Sequence, residues 1–201
     1  MKHAYNRTFW QISRLSSFVK NVSEAKRAAM NLKEPQYCRE INIPTNTYNG
    51  YILNRTDSVS MIFKLADQVP VDIRIKYNDE LITVKTSEMF FKTVRRIARE
   101  YMKDNKLTQK LMAKRISLER SYLSHFLNDD RNSKPVSDRI MKVTGTKILV
   151  SSPFSPEEGD AVRSKRLAQK IRRNKTEKIQ SEVYVSEYKK EIKERLKKLW
   201  P

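Results

Sequence analysis

Apolar residues recur at helical spacing through "TSEMFFKTVRRIAREYMKDN", where Phe90, Val94, Ile97, Ala98 and Tyr101 form one stripe. Thr86 or Ser87 stands ahead of it as an N-cap, since a hydroxyl there accepts from a first-turn N–H that has no intrahelical partner. Arg95, Arg96, Arg99 and Lys103 cover much of the rest of this helix. A short helix is expected from Leu107 to about Arg115 with Thr108 near its start, then a turn at Ile116–Leu118, then a third helix from Glu119 to about Leu127. "NDDRNSKP" reads as a loop and "VSDRIMKVTG" as a further helix ending near Gly145, the residue type that best closes a helix in the left-handed conformation. Two helices crossing at close range need a small side chain, and Ala113 fits that place. Met112, Ile116, Leu118, Leu123 and Phe126 then face the core and leave the polar side of the third helix outside.

The period changes to two in "VDIRIKYNDELITVKT": Val71, Ile73, Ile75 and Tyr77, a turn at Asn78–Glu80, then Ile82 and Val84. A β-hairpin is expected there, with "TKILVSS" (146–152) as a third strand alongside. The chain also repeats itself. "YCREINIPTNTYNGYIL" aligns with "MAKRISLERSYLSHFLN" at a constant offset of 75 residues, from Cys38 to Ala113. Ile41 falls on Ile116, Ile43 on Leu118, Tyr48 on Leu123, Tyr51 on Phe126, Leu65 on Ile140 and Ile73 on Ile148. Asn42 takes the turn place of Ser117, and Pro44 the start of the third helix, where its missing N–H costs little. Cys38, small and weakly polar at the helix crossing, is expected to be a packing residue rather than a reactive thiol.

Further along, Ser155, Pro156 and Glu158 make a capping-box start. Eight basic residues and one acid, Glu177, lie between Arg163 and Lys178. Beyond them Tyr188, Ile192, Leu196 and Leu199 stand at helical spacing beside Trp200, a stripe that wants a partner, either the protein's own core or a second copy in a homodimer.

Charge narrows the partners. Lys and Arg number 42 against 23 Asp and Glu, a formal +19. The three parts 1–73, 74–150 and 151–201 are each positive, so this is no neutral protein with one basic tail. Such an excess favours polyanions, nucleic acid before anionic membrane. Cys38 is the single cysteine and His3 and His125 the two histidines, which leaves no disulfide framework and no zinc spacing. Three glycines speak against a phosphate-binding loop. No catalytic arrangement stands out and no cofactor is implied, so a non-enzymatic protein is expected. "MKHAYNRTFWQISRL" lacks the apolar stretch of a signal peptide, and a cytoplasmic, nucleoid-associated location off the membrane is the expectation.

At Val94–Val143, centred on "LTQKLMAKRISLERSYLSHFLND", the chain resembles the lambda-repressor-like, Cro-type helix-turn-helix family. The family's Gln, Leu-Ala, Leu-Gly-Ile, Ser and Asn-containing turn correspond to Gln109, Met112-Ala113, Ile116-Ser117-Leu118, Glu119 and Asn128. Ser117 in place of the turn glycine and the negative Glu119 at the groove end depart from the pattern. The resemblance implies that Gln109 contacts the DNA backbone and that Arg120, Ser121, Ser124 and His125 approach bases. Lys110, Lys114, Arg131, Arg95 and the run Arg163, Lys165, Arg166, Lys170, Arg172, Arg173 and Lys175 would neutralise phosphates. In the first repeat Thr45, Asn46, Thr47, Asn49 and Gly50 are polar and uncharged, suited to hydrogen bonding with bases or to simple exposure.

The expected fold is mainly α: two tandem helix-turn-helix bundles joined by a short β-hairpin, with a basic helical C-terminal extension. The parts would be a diverged N-terminal unit (1–73), a hairpin linker (74–92), a helix-turn-helix domain (93–150) and the C-terminal region (151–201). By resemblance the function would be sequence-specific binding of double-stranded DNA as a transcriptional regulator, a repressor in a bacterium, phage or mobile element. The alternatives are an anti-CRISPR-like inhibitor of a host nucleoprotein defence complex, using its helix-turn-helix for autoregulation or RNA binding, and a non-specific architectural DNA-binding protein.

Overall fold

A computed structural model gives the protein over residues 5–9, 11–54 and 58–199, with side chains described through 178 and at 180. In chain order it forms strand β1 (Tyr5–Phe9), helices α1 (Ile12–Ala29), α2 (Glu34–Glu40), α3 (Thr45–Ile52) and α4 (Val59–Gln68), and strands β2 (Asp72–Tyr77) and β3 (Glu80–Thr83). Helices α5 (Ser87–Asp104), α6 (Gln109–Arg115), α7 (Arg120–Leu127) and α8 (Lys134–Thr144), strand β4 (Lys147–Ser152) and helix α9 (Pro156–Leu199) follow. The 75-residue offset carries α1 onto α5, α2 onto α6, α3 onto α7 and β2 onto β4 from end to end, and the first residues of β1 and α4 onto those of β3 and α8.

Shared turn chemistry explains the coincidence of the helix ends. Asn31 and Lys106, Asn42 and Ser117, and Asn54 and Asp129 are three pairs of left-handed residues at that offset, with φ between 49° and 67°. Each follows a helix C-terminus. Leu32 N–H returns to the Arg27 carbonyl at 3.2 Å and Leu107 N–H to Met102 at 2.8 Å, which satisfies carbonyls that the helix leaves open. The starts are set as expected: Thr86 Oγ1 accepts from Met89 N–H at 3.1 Å and Thr108 Oγ1 from Leu111 N–H at 3.3 Å. Gly145, at φ 70°, ends α8.

The hairpin forms around Asn78, and β4 pairs with β2 as the repeat suggests. The strand β1, which the sequence pattern had not marked, completes a four-stranded antiparallel sheet in the order β1-β4-β2-β3. Each repeat thus lends its first strand to the last strand of the other. Tyr5 opposes Ser152 as Glu80 opposes Tyr77, and Ile73 opposes Val150 as Ile148 opposes Ile75. The pair Arg74 and Leu149 maps onto itself, so the pairing is twofold about that point.

This exchange corrects the expected division. Residues 1–73, 74–92 and 93–150 are not separate bodies, because Met1–Asp160 is one compact unit with a continuous buried cluster from Ile12 to Val150. Phe63 on α4 meets Phe90 on α5 with ring centroids 5.8 Å apart, in the middle of that core. The hairpin expected there forms over residues 72–83, and the rest of 74–92 enters α5 from Ser87. Residues 151–152 belong to β4, and the second unit begins at Ala161. Glu158 N–H donates to Ser155 Oγ at 3.2 Å as the capping pattern requires. The acid beside Ser155 is Glu157, held at 2.5 Å by Arg7.

The first turn of α9 packs on α1 through Gly159. A Cβ there would lie 1.7 Å from the Asn21 carbonyl oxygen and 2.5 Å from its carbon, both backbone atoms. An Ala in a helix normally gains about 1 kcal/mol over Gly, but overpacking costs about 1–3 kcal/mol or more. Gly159→Ala is therefore expected to destabilise the protein by about 2 kcal/mol in urea unfolding; a more stable variant would show that α9 does not seat on α1.

The second unit begins at Ala161 and holds α9 from there to Leu199. The Tyr188–Trp200 stripe proposed for a homodimer lies outside the residues whose side chains are described. Among the described residues, no helix is long and apolar enough to cross a membrane.

Candidate nucleic-acid interface

Helix α7 is built to be held from one side. Leu123, Phe126 and Leu127 are buried, while Arg120, Ser121, Tyr122 and His125 are exposed and Ser124 is partly buried. Met112 and Ala113 of α6 are buried at the crossing, as Tyr37 and Cys38 are in α2. The turn between α6 and α7 bends at Ser117, with Leu118 N–H bonded to the Ala113 carbonyl at 2.9 Å; Ile43 N–H bonds to Cys38 at 3.0 Å in the first repeat. Arg139 of α8 braces the turn by donating to the Ile116 carbonyl at 3.2 Å and to that of Ser117. Leu118, expected inside, is partly buried against the core.

A left-handed serine costs about 1–2 kcal/mol, of which glycine's greater chain entropy takes back up to about 1 kcal/mol. Ser117→Gly is thus expected to stabilise the protein by about 0.5–1 kcal/mol, and Asn42→Gly by less, because Asn tolerates this conformation. Thermal unfolding of the two variants checks the order.

The far end of α7 is fixed by α5. Arg95 Nε donates to the Phe126 carbonyl at 2.6 Å, Nη2 donates to Asn132 Oδ1, and Nη1 pairs with Asp129 at 2.6 Å. Its guanidinium carbon lies 5.0 Å from the centroid of the Phe126 ring. Arg99 donates to the Leu127 carbonyl. Cations at a helix C-terminus satisfy its open carbonyls and its partial negative charge. Arg95 is 3 % exposed, so its expected role as a phosphate contact is overturned: it is a buried clamp. The first repeat keeps the device with a lysine. Lys20 Nζ sits 4.2 Å from the Tyr51 ring centroid and donates to Asn54 Oδ1 at 3.0 Å, the counterparts of Phe126 and Asp129.

Lys110 and Lys114 on α6 and Arg131 after α7 are exposed, and Gln109 is partly buried. His125 Nδ1 lies 3.3 Å from Asp130 Oδ2, both largely exposed. Glu119 takes the N-cap place of α7 without a side-chain cap bond. Two exposed residues escaped the pattern. Tyr122 is 52 % exposed and Leu111 51 %. Tyr122 sits three residues before His125 and so shares its helix face, although an aromatic side chain at helical spacing is ordinarily a core residue.

In the first repeat Asn46 and Thr47 are exposed, and Thr45, Asn49 and Gly50 partly buried. Asn49 gives its side-chain amide to Glu34 of α2, which occupies a group assigned to base reading. In the separate unit of α9, Lys165, Arg172, Arg173 and Lys175 are exposed and Arg163, Arg166 and Lys170 partly buried. At 100° per residue these cations spread around the helix instead of lining one face. Leu167 and Ile171 are exposed among them.

Comparison with known protein families, characterised proteins and solved structures gives no match. What this surface does therefore rests on its own chemistry. Among the described residues, no group of three His, Cys, Asp or Glu side chains is gathered as a metal ion would need.

Proposed function

We propose that the chain is a sequence-specific double-stranded DNA-binding protein, a transcriptional regulator acting as a repressor, whose two repeats are helix-turn-helix units. The observation that carries this is the open face of α7. Arg120, Ser121 and His125 are exposed on a helix clamped at its far end by Arg95 and Arg99, and Lys110 and Lys114 of α6 and Arg131 after α7 are exposed as well. A rigidly held helix with a wet, donor-rich side is what the major groove admits, because base edges there present a distinct pattern of donors and acceptors for each pair. Neighbouring cations neutralise phosphates and set the register, while the outward side chains choose the sequence. The overall charge of +19 favours the encounter.

Selection of bound fragments from a random duplex pool tests the proposal, and a bounded motif is expected. On that motif Arg120→Ala should cost about 1–3 kcal/mol and relax preference at one position. Lys114→Ala should weaken binding to every duplex and lower the salt slope by about 1. Equal losses on selected and random DNA for both variants would remove base reading from Arg120. A second reading, an architectural or RNA-binding role, draws on the cations distributed around α9. Uniform coverage in footprinting, or preference for structured RNA over the selected duplex, would favour it.

A further inference from the structure

The repeats match in backbone and pairing but not in charge. Helix α6 carries Lys110, Lys114 and Arg115 and no acid. The same places in α2 hold Pro35, Arg39 and Glu40, and Glu34 stands where α6 has Gln109. Helix α7 presents Arg120, Ser121, Tyr122 and His125, whereas α3 presents Thr45, Asn46, Thr47 and Gly50, none of them charged. Glu40 is exposed, and Glu34, partly buried, holds the Asn49 amide. Each phosphate neutralised adds to affinity through counterion release. With the capping residues Lys33 and Glu119 counted, residues 33–52 carry two cations and two carboxylates and residues 108–127 four cations and one carboxylate, so the first gains little where the second gains much. Carboxylates next to backbone phosphates also repel them.

Building on DNA binding as proposed above, we infer that the two repeats bind unequally. The α6–α7 repeat anchors and reads one half-site, and the α2–α3 repeat contributes little, so the preferred duplex is directional and not palindromic. The twofold strand pairing makes this a departure from what the backbone alone implies. Symmetric partners normally call for symmetric operators, and here the side chains break the symmetry that the sheet keeps.

The test uses the full chain and the duplex that it selects from a random pool. Arg120→Ala marks the half-site under α7 as the side where preference is relaxed. Scrambling that half is expected to reduce affinity at least about threefold more than scrambling the other, since base-pair mismatches at read positions act additively. A palindrome made from two copies of the marked half should bind no more than about twofold tighter than the selected duplex, the statistical gain of a doubled site. A palindromic motif from the pool, losses within about threefold of each other, or a palindrome bound at least about tenfold tighter would each overturn the inference. If the pool yields no bounded motif at all, the DNA-binding proposal itself falls, a failure distinct from that of unequal repeats.

Discussion

Arg95→Ala is expected to lower the unfolding free energy by about 3 kcal/mol, the larger part of it from groups left behind. The pair with Asp129 contributes little, because that carboxylate is 76 % exposed and screened by water. The loss lies in the buried Phe126 carbonyl stripped of a charged donor, at about 1.5–3 kcal/mol, and in the space beneath the Phe126 ring that Ala leaves unfilled. In a chain of this size the melting temperature should fall by about 6–12 °C. Arg95→Lys should recover part of the loss, since the first repeat uses Lys20 in the same place. Urea unfolding of both variants beside duplex binding separates two roles. Unchanged stability with lost binding would restore Arg95 as a phosphate contact; lost stability, with binding intact where the variant remains folded, fits a clamp.

Arg95 also shows where sequence reading ends. Its neighbours Val94 and Ala98 mark the buried stripe, and a charged residue beside a stripe is ordinarily placed in water. A guanidinium is long enough to pass under the next helix, and what decides its burial is a carbonyl 31 residues away in sequence. Local period carries no such information. The helix starts at Thr86 and Thr108 and the end at Gly145 were legible because each rests on one residue's own hydrogen bond or backbone preference. The repeat was legible at core positions, where chemical type persists as Ile41 and Ile116 or Tyr51 and Phe126. Strand β1 is short, lies at a sheet edge and mixes Asn6, Arg7 and Thr8, too weak an alternation to stand out. Extending the offset beyond the helices would have found it, since Tyr5 lies 75 residues before Glu80. On the candidate surface, the exposed residues of α7 follow from helical period, while the partner that occupies Asn49 does not.

Raising the pH above 10 is expected to destabilise the protein through its first repeat. Ser23 Oγ lies 3.1 Å from the Tyr37 hydroxyl and 3.2 Å from that of Tyr48, which donates to Glu24 Oε1 at 2.7 Å. All four residues are fully buried, and Arg27 meets the Glu24 carboxylate at 3.0 Å. Burial, with the carboxylate of Glu24 adding to it, pushes the Tyr37 phenol up to about 12, and the same two causes raise Tyr48 well above its ordinary value. An unfolded phenol titrates near about 10. The folded chain therefore holds these protons more tightly, and their contribution is complete below pH 10 and disappears as pH rises through about 12. For Tyr37 the difference amounts to about 3 kcal/mol, and Tyr48 acts in the same direction. Tyr37→Phe separates this from general alkaline damage. At pH 7 it should be less stable by about 1 kcal/mol for the lost hydrogen bond, but its decline above pH 10 should be shallower, so that the two stability curves converge and then cross. Urea midpoints taken across that range, with tyrosinate absorbance alongside, decide it. Parallel curves, or phenols that all ionise near 10 in the folded chain, would show that the buried network does not hold its protons as its geometry requires.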